Sequence, residues 1–151
     1  MFRHRPAELF FRTARRRNVA VIVRVPLASG LLSGKFRTDT RFEADDHRQF
    51  NRGGEAFDVG ETFSGVPYEV GLAAVEKLRP LVPEGASLAQ LALRWILMDE
   101  AVSVVIPGAR NPRQALDNLA TAELPALPES TMAEVARIYA EDIRPHVHQR
   151  W

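Results

Sequence analysis

Cysteine is absent from this 151-residue chain. That excludes disulfides and thiolate metal sites, and it fits a reducing, cytoplasmic setting. Long hydrophobic runs are also missing. No apolar stretch approaches the roughly 18 residues of a membrane-spanning helix, so no membrane partner is expected. The opening MFRHRPAELFF lacks the continuous apolar segment and small-residue cleavage site of a signal peptide. Neither sign of charge is in excess. Twenty Lys and Arg against 19 Asp and Glu leave a formal charge of +1, which gives no global attraction to nucleic acid or to an anionic surface. The one dense basic cluster, Arg12 to Arg17, lies on helical text and reads as a solvated face. The dinucleotide fingerprint G-x-G-x-x-G is absent, as are internal repeats and low-complexity tracts. His146 and His148 form an H-x-H pair near the C-terminus. Such a pair reads as a solvated tail, and no metal site is expected.

What remains is enough for one globular unit. Hydrophobic residues make up 46% and charged residues 26%, so the chain can bury a core. Pro6 followed by AELFFRTARRRN predicts a helix, with Leu9, Phe10, Thr13 and Ala14 at helical spacing and Asn18 as its stop. VAVIVRV, residues 19–25, predicts a strand. Its nearly continuous β-branched run suits a parallel strand covered on both faces. A long polar stretch, about 28–65, comes next as loop or disorder. Helical spacing resumes at Pro67. The segment SLAQLALRWILMDE is the clearest helix, with Ser87 and Gln90 forming a capping box and a core face of Leu88, Leu91, Ala92, Trp95 and Ile96. VSVVI predicts a second buried strand. Asn111 caps a helix with Pro112 at its first position, and ESTMAEVARIYAEDI predicts a last one. Strands separated by helices imply parallel pairing through right-handed crossovers. Two strands alone do not make a sheet with two covered faces, so this pattern asks for neighbours that the chain does not supply.

Both strands run into glycine-bearing loops. PLASGLLSGK, residues 26–35, comes after the first, and PGAR leading into a helix start comes after the second. Glycine admits close backbone approach, a helix start offers free N–H groups to phosphate, and the forked guanidinium of Arg110 suits phosphate oxygens. Each residue also has a plainer reading. Gly30 and Gly34 can serve turn geometry alone. Gln114, three residues after Asn111, can close a second capping box. Asn118, four residues after Gln114, can be an ordinary surface residue. Arg110 is the hardest to explain by structure alone.

These stretches together resemble the aldo-keto reductases. PLASGLLSGK is similar to the segment after strand seven of that family. SLAQLALRW is similar to the helix before strand eight, and VIPGARNPRQALDNL to strand eight with its loop and helix. FDVGETFSGVPYE, residues 57–69, resembles a loop found in one branch. The resemblance covers nearly the whole chain as one partial domain, 1–151. It implies an α/β fold, the C-terminal part of a (β/α)8 TIM barrel. Two parallel strands, about five helices and a long loop after the first strand are expected. It implies an NADP(H) cofactor and reduction of a small-molecule carbonyl substrate by hydride transfer. It places Pro26, Leu27, Ser29, Gly30, Leu31 and Lys35 along the cofactor pyrophosphate. Gly108, Arg110, Gln114 and Asn118 fall at the adenosine end, with Arg110 on the 2′-phosphate.

The family's acid–base tetrad of Asp, Tyr, Lys and His comes from earlier strands, and nothing here matches it. Tyr68 and Tyr139 lie in helical text, and His4, His47, His146 and His148 lie outside the family's context. No catalytic residue is therefore assigned. A whole barrel takes about 250 residues, so the chain reads as a fragment that is inactive alone. Arg24 stands where the family often carries an aromatic ring that stacks on the nicotinamide. The alternatives are a non-catalytic nucleotide- or phosphate-binding module and, more remotely, a nucleic-acid binder built on the basic helix. The lack of interleaved aromatics and of overall basicity argues against nucleic acid. Uncovered strands imply self-association.

Overall fold

The computed structural model describes residues 1–150. Two strands, β1 (Val21–Arg24) and β2 (Val102–Ile106), pair in parallel and form the one sheet among the described residues. The first strand is shorter than the expected 19–25, because Asn18 and Val25 take positive φ values of 52° and 49° at its two ends. Residues 22 to 24 pair in regular steps with Val104, Val105 and Ile106. A bulge precedes them, where the Val21 amide donates to Ser103 Oγ at 3.2 Å.

The described residues also form seven α-helices: α1 (Arg12–Arg16), α2 (His47–Phe50), α3 (Tyr68–Leu78), α4 (Leu88–Leu97), α5 (Pro112–Ala120), α6 (Glu129–Ile138) and α7 (Arg144–Val147). Four of them, α3 to α6, run nine to eleven residues. The capping box on α4 is formed as expected. Gln90 N donates to Ser87 Oγ at 3.2 Å, and Ser87 N donates to Gln90 Oε1 at 2.9 Å.

The N-terminal helix departs from its expected face. Ala7–Phe11 is a π turn, which rotates the residues after it relative to regular α spacing. Leu9 and Phe10 are left exposed. Ala14 turns inward as expected, and Phe11 joins it, packing with Val21, Val23 and Ala101 on one side of β1. The basic run is solvated, and Arg15 pairs with Glu100 across to the turn before β2.

The main core is helical. Leu31, Leu32, Val75, Leu78, Leu91 and Ile143 are all essentially inaccessible, and Met1 and Phe2 insert among them. The sheet does not have two covered faces. Ile22 is 63% exposed, Val104 45% and Ile106 55%. The strands therefore carry the sequence of a buried parallel sheet but show one bare face.

The stretch 28–65 is far from structureless. A 3-10 helix spans Ala28–Ser33, α2 lies near its middle, and two further 3-10 turns occupy Val59–Glu61 and Phe63–Gly65. Fully buried Asn51 organises it. Its Oδ1 accepts from the amides of Ala56 and Phe57, and its Nδ2 donates to Thr62 Oγ1. Arg48 and Arg52 lie over the Phe42 ring, and Arg52 also lies over Tyr68. A buried amide and stacked guanidiniums do for this segment what helical periodicity does elsewhere, and neither has a periodic signature.

Candidate functional site

Parallel pairing in this register puts Arg24, the last residue of β1, opposite Ile106, the last residue of β2. The loops after them therefore leave the sheet from the same end. In open α/β sheets and barrels, ligands gather at this carboxyl end.

The first loop is anchored by its apolar side chains. Pro26, Ala28, Leu31 and Leu32 are buried and Leu27 is half-buried. Of the residues assigned here from the sequence, Pro26, Leu27 and Leu31 therefore offer a ligand backbone rather than side chain. Ser29 is intermediate in exposure and Lys35 exposed. Among the described residues the Lys35 ammonium has no hydrogen-bond or ion-pair partner. The backbone is strained here: Ala28 and Ser29 sit at φ 49° and 54°, followed by Gly30 at 97°. A side chain at Gly30 would place Cβ 2.9 Å from Phe36 Cζ. The turn and the Phe36 contact thus account for that glycine.

Gly108 is different. It does not have a positive φ, and a Cβ built on it would meet nothing within 4 Å. The fold itself does not ask for glycine there. Beside it, α5 begins with Asn111, whose Oδ1 accepts from Gln114 N at 2.9 Å. The expected second capping box is not formed. Gln114 Oε1 accepts instead from Arg110 N, one residue earlier, at 2.7 Å. Asn118 Nδ2 donates to Gly108 O at 3.2 Å. Gln114 and Asn118 therefore brace the 108–110 backbone from the helix. Gln114 Nε2 and Asn118 Oδ1 keep no protein partner among the described residues. The Arg110 guanidinium is exposed and likewise has none.

At the strand end, Arg24 meets Glu61 in a forked pair with N···O distances of 2.8 and 3.4 Å. That hydrogen bond holds the Glu61 carboxyl below the usual carboxylate range. Glu61 carried no sequence signal, because its partner lies 37 residues away across an irregular segment. The pair lines a cavity of about 900 Å³ that also touches Phe2, Ile22, Trp95 and Val102. Gly108 and Arg110 do not line it. It lies against β1, where the wall of a closed barrel would continue.

The side chains of His4, His148, Tyr68 and Tyr139 take structural places. His148 is not the solvated residue expected. Its Nδ1 lies 2.9 Å from the Tyr139 hydroxyl, its Nε2 lies 3.4 Å from Glu8, and Arg5 donates to its carbonyl. His146 is exposed, as expected. The Tyr68 hydroxyl donates to Arg37 O. His4 is stacked between Tyr139 and Trp95, at centroid distances of 3.6 and 4.7 Å, and burial pushes its pKa down to about 3. No group of three or more metal-ligating side chains occurs among the described residues, and none of their helices is long and apolar enough to cross a membrane.

Comparison with known proteins gives the context. A model of the Aldo/keto reductase family matches residues 1–140. The L-glyceraldehyde 3-phosphate reductase of Escherichia coli O157:H7 is 32% identical over 108 residues, which is 71% of this chain and 30% of that protein. Aldo-keto reductase str7 of Strobilurus tenacellus is 27% identical over 141 residues, or 93% of this chain and 39% of that protein. Among solved structures, the glycerol dehydrogenase of Gluconobacter oxydans superposes with a TM-score of 0.69 at 26% identity, covering 90% of this chain and 38% of that one. The chain thus spans less than two-fifths of the length of each of these relatives.

Proposed function

The chain belongs to the aldo/keto reductase family, and from that premise we propose that its two glycine-bearing loops form the phosphate-binding end of an NADP(H) site in a carbonyl-reducing oxidoreductase. One observation carries the reading. At the carboxyl end of the paired strands, an exposed Arg110 guanidinium without a partner among the described residues stands near a glycine that the fold does not require. The residues present fit the cofactor. The α5 start offers amide donors, Arg110 and Lys35 offer positive charge, and Gln114 Nε2 and Asn118 Oδ1 remain open for a polar ring. When bound, the nicotinamide supplies the hydride. The part of this chain is to hold and orient the phosphates. Arg110 selects the 2′-phosphate through a charge-assisted forked contact. Gln114 and Asn118 keep the 108–110 backbone in place for it.

No carbonyl substrate pocket and no general acid are assigned within this chain. Loss of general acid catalysis alone costs about a hundred- to ten-thousand-fold in rate. Purified chain mixed with NADPH and a panel of aldehydes and ketones is expected to show no oxidation above buffer. Robust turnover that disappears in Arg110→Ala would overturn that expectation and keep the cofactor assignment. The competing reading, a phosphate-binding module without redox chemistry, shares the same loops. It would be favoured if free inorganic phosphate and 2′-phospho-AMP perturbed Arg110 equally.

A further inference from the structure

Two strained turns face each other across the first loop. Ala28, Ser29 and Gly30 have φ values of 49°, 54° and 97°, and Phe63, Ser64 and Gly65 have 50°, 59° and 75°. L-residues rarely hold such angles unless their surroundings impose them. A single hydroxyl joins the two turns: Ser29 Oγ donates to Glu61 O at 3.3 Å and accepts from Phe63 N at 3.1 Å. The same Glu61 is clamped by its side chain to Arg24 at the end of β1. On the far side, Arg3 Nε donates to Ser64 O at 2.9 Å. Behind both turns, Ala28 and Phe63 are each 1% exposed and belong to the main core.

We propose that Arg24, Ser29 and Glu61 are positioning residues that lock residues 28–30 and 61–65 into one rigid surface at the end of β1. This rests on the reading of the first loop as cofactor-binding, and it adds how that loop is held. In this scheme Glu61 acts at a distance. Its carboxylate fixes the 61–65 turn to the strand, and its carbonyl with the Phe63 amide fixes the Ser29 hydroxyl. The strained run then presents one arrangement of backbone groups instead of many, which lowers the ordering cost of binding. Both members of the ion pair are about half exposed or more. The lock therefore weakens as salt rises, whereas the buried contacts of Ala28 and Phe63 do not.

Amide hydrogen exchange on the whole chain tests the coupling. Gly30, Leu32, Phe63 and Gly65 serve as probes, since each donates a hydrogen bond within or between these turns. Glu61→Gln keeps the carbonyl acceptor but loses the ion pair. It should speed exchange at Gly30 and Leu32 by about tenfold, although both of these amides donate to Leu27 O and neither to residue 61. Ser29→Gly relieves the backbone strain yet removes the hydroxyl, and should speed exchange at Phe63 and Gly65. The charge swap Arg24→Glu with Glu61→Arg should restore protection at all four amides. Effects confined to the mutated turn, or a swap that fails to restore protection while the urea midpoint stays unchanged, would overturn the proposal. NADPH titration followed by NMR on the same samples separates the two readings. If the wild-type chain binds and Glu61→Gln binds equally well, the positioning role is wrong. If the wild-type chain does not bind at all, the cofactor reading falls, while the exchange data still decide whether the turns are coupled.

Discussion

Among single residues, Arg110 and His4 make the sharpest claims. The Arg110 guanidinium is exposed, has no partner among the described residues, and is set on a backbone braced by Gln114 and Asn118. Only the phosphorylated cofactor offers it a 2′-phosphate. NMR titration should therefore show 2′-phospho-AMP shifting Arg110 and Gly108 more strongly than AMP does, with affinity of about millimolar and weakened by salt. Equal shifts from both ligands, or shifts that survive Arg110→Ala, would remove the assigned role. His4 is buried and lies flat between two rings, and its Nε2 has no hydrogen-bond partner. Burial, with help from the nearby terminal ammonium, lowers its pKa from 6.5 to about 3. The unfolded chain thus takes up a proton at this site before the folded one does. The neutral ring adds its full stability above pH 6.5, and that contribution falls away as pH drops toward 3. Urea melts between pH 7 and 4 should show this loss on top of that from the buried terminal amine, whose pKa burial lowers from 8.0 to about 5, and His4→Phe should reduce the slope below pH 6.5.

At the scale of elements, short-range rules held where both partners of a contact lie within one turn and no other group competes for either. The α4 capping box is the clearest case, because Ser87 and Gln90 are three residues apart and nothing competes for them. Ser87→Ala should cost about 1 kcal/mol, read as a lower urea midpoint with an unchanged slope. The box expected at Asn111 failed for a reason that local spacing cannot carry. Arg110 N, turned back by the loop, takes the Gln114 oxygen first. The N-terminal helix shows the same limit. Its spacing pointed to Leu9, Phe10, Thr13 and Ala14; Ala14 does turn inward, but after the π turn Phe11 packs onto β1 and Leu9 and Phe10 stay exposed. The polar stretch before α3 read as loop because its order comes from Asn51, from guanidiniums over rings and from Ser29. The two turns joined by Ser29 lie 34 residues apart in sequence.

For the whole molecule, the imbalance lies between a well-made helical core and a half-covered sheet. Leu31, Leu91 and Ile143 are fully buried, while Ile22, Val104 and Ile106 stand on an open strand surface. A two-stranded sheet is marginal in water, and bare apolar strands with free edges promote association. The chain is therefore expected to self-associate at micromolar concentration and to melt over a broad range. A monodisperse monomer by light scattering, together with a sharp cooperative melt, would contradict this. The cavity of about 900 Å³ lies against this same strand pair, lined by Ile22 and Val102.

By itself, the sequence determined the element order, the parallel crossover, the family resemblance and the two glycine-bearing loops that follow the strands. All of these come from residue type and short spacing: β-branched runs, capping residues, and glycines placed directly after strands. The tertiary structure alone decided which helical face turns inward, which backbone group takes the Gln114 oxygen, where His148 goes and which carboxylate holds Arg24. Those outcomes depend on groups brought together from distant parts of the chain. Among them, the winner is set by distance, burial and competition for hydrogen bonds, none of which is written in local order.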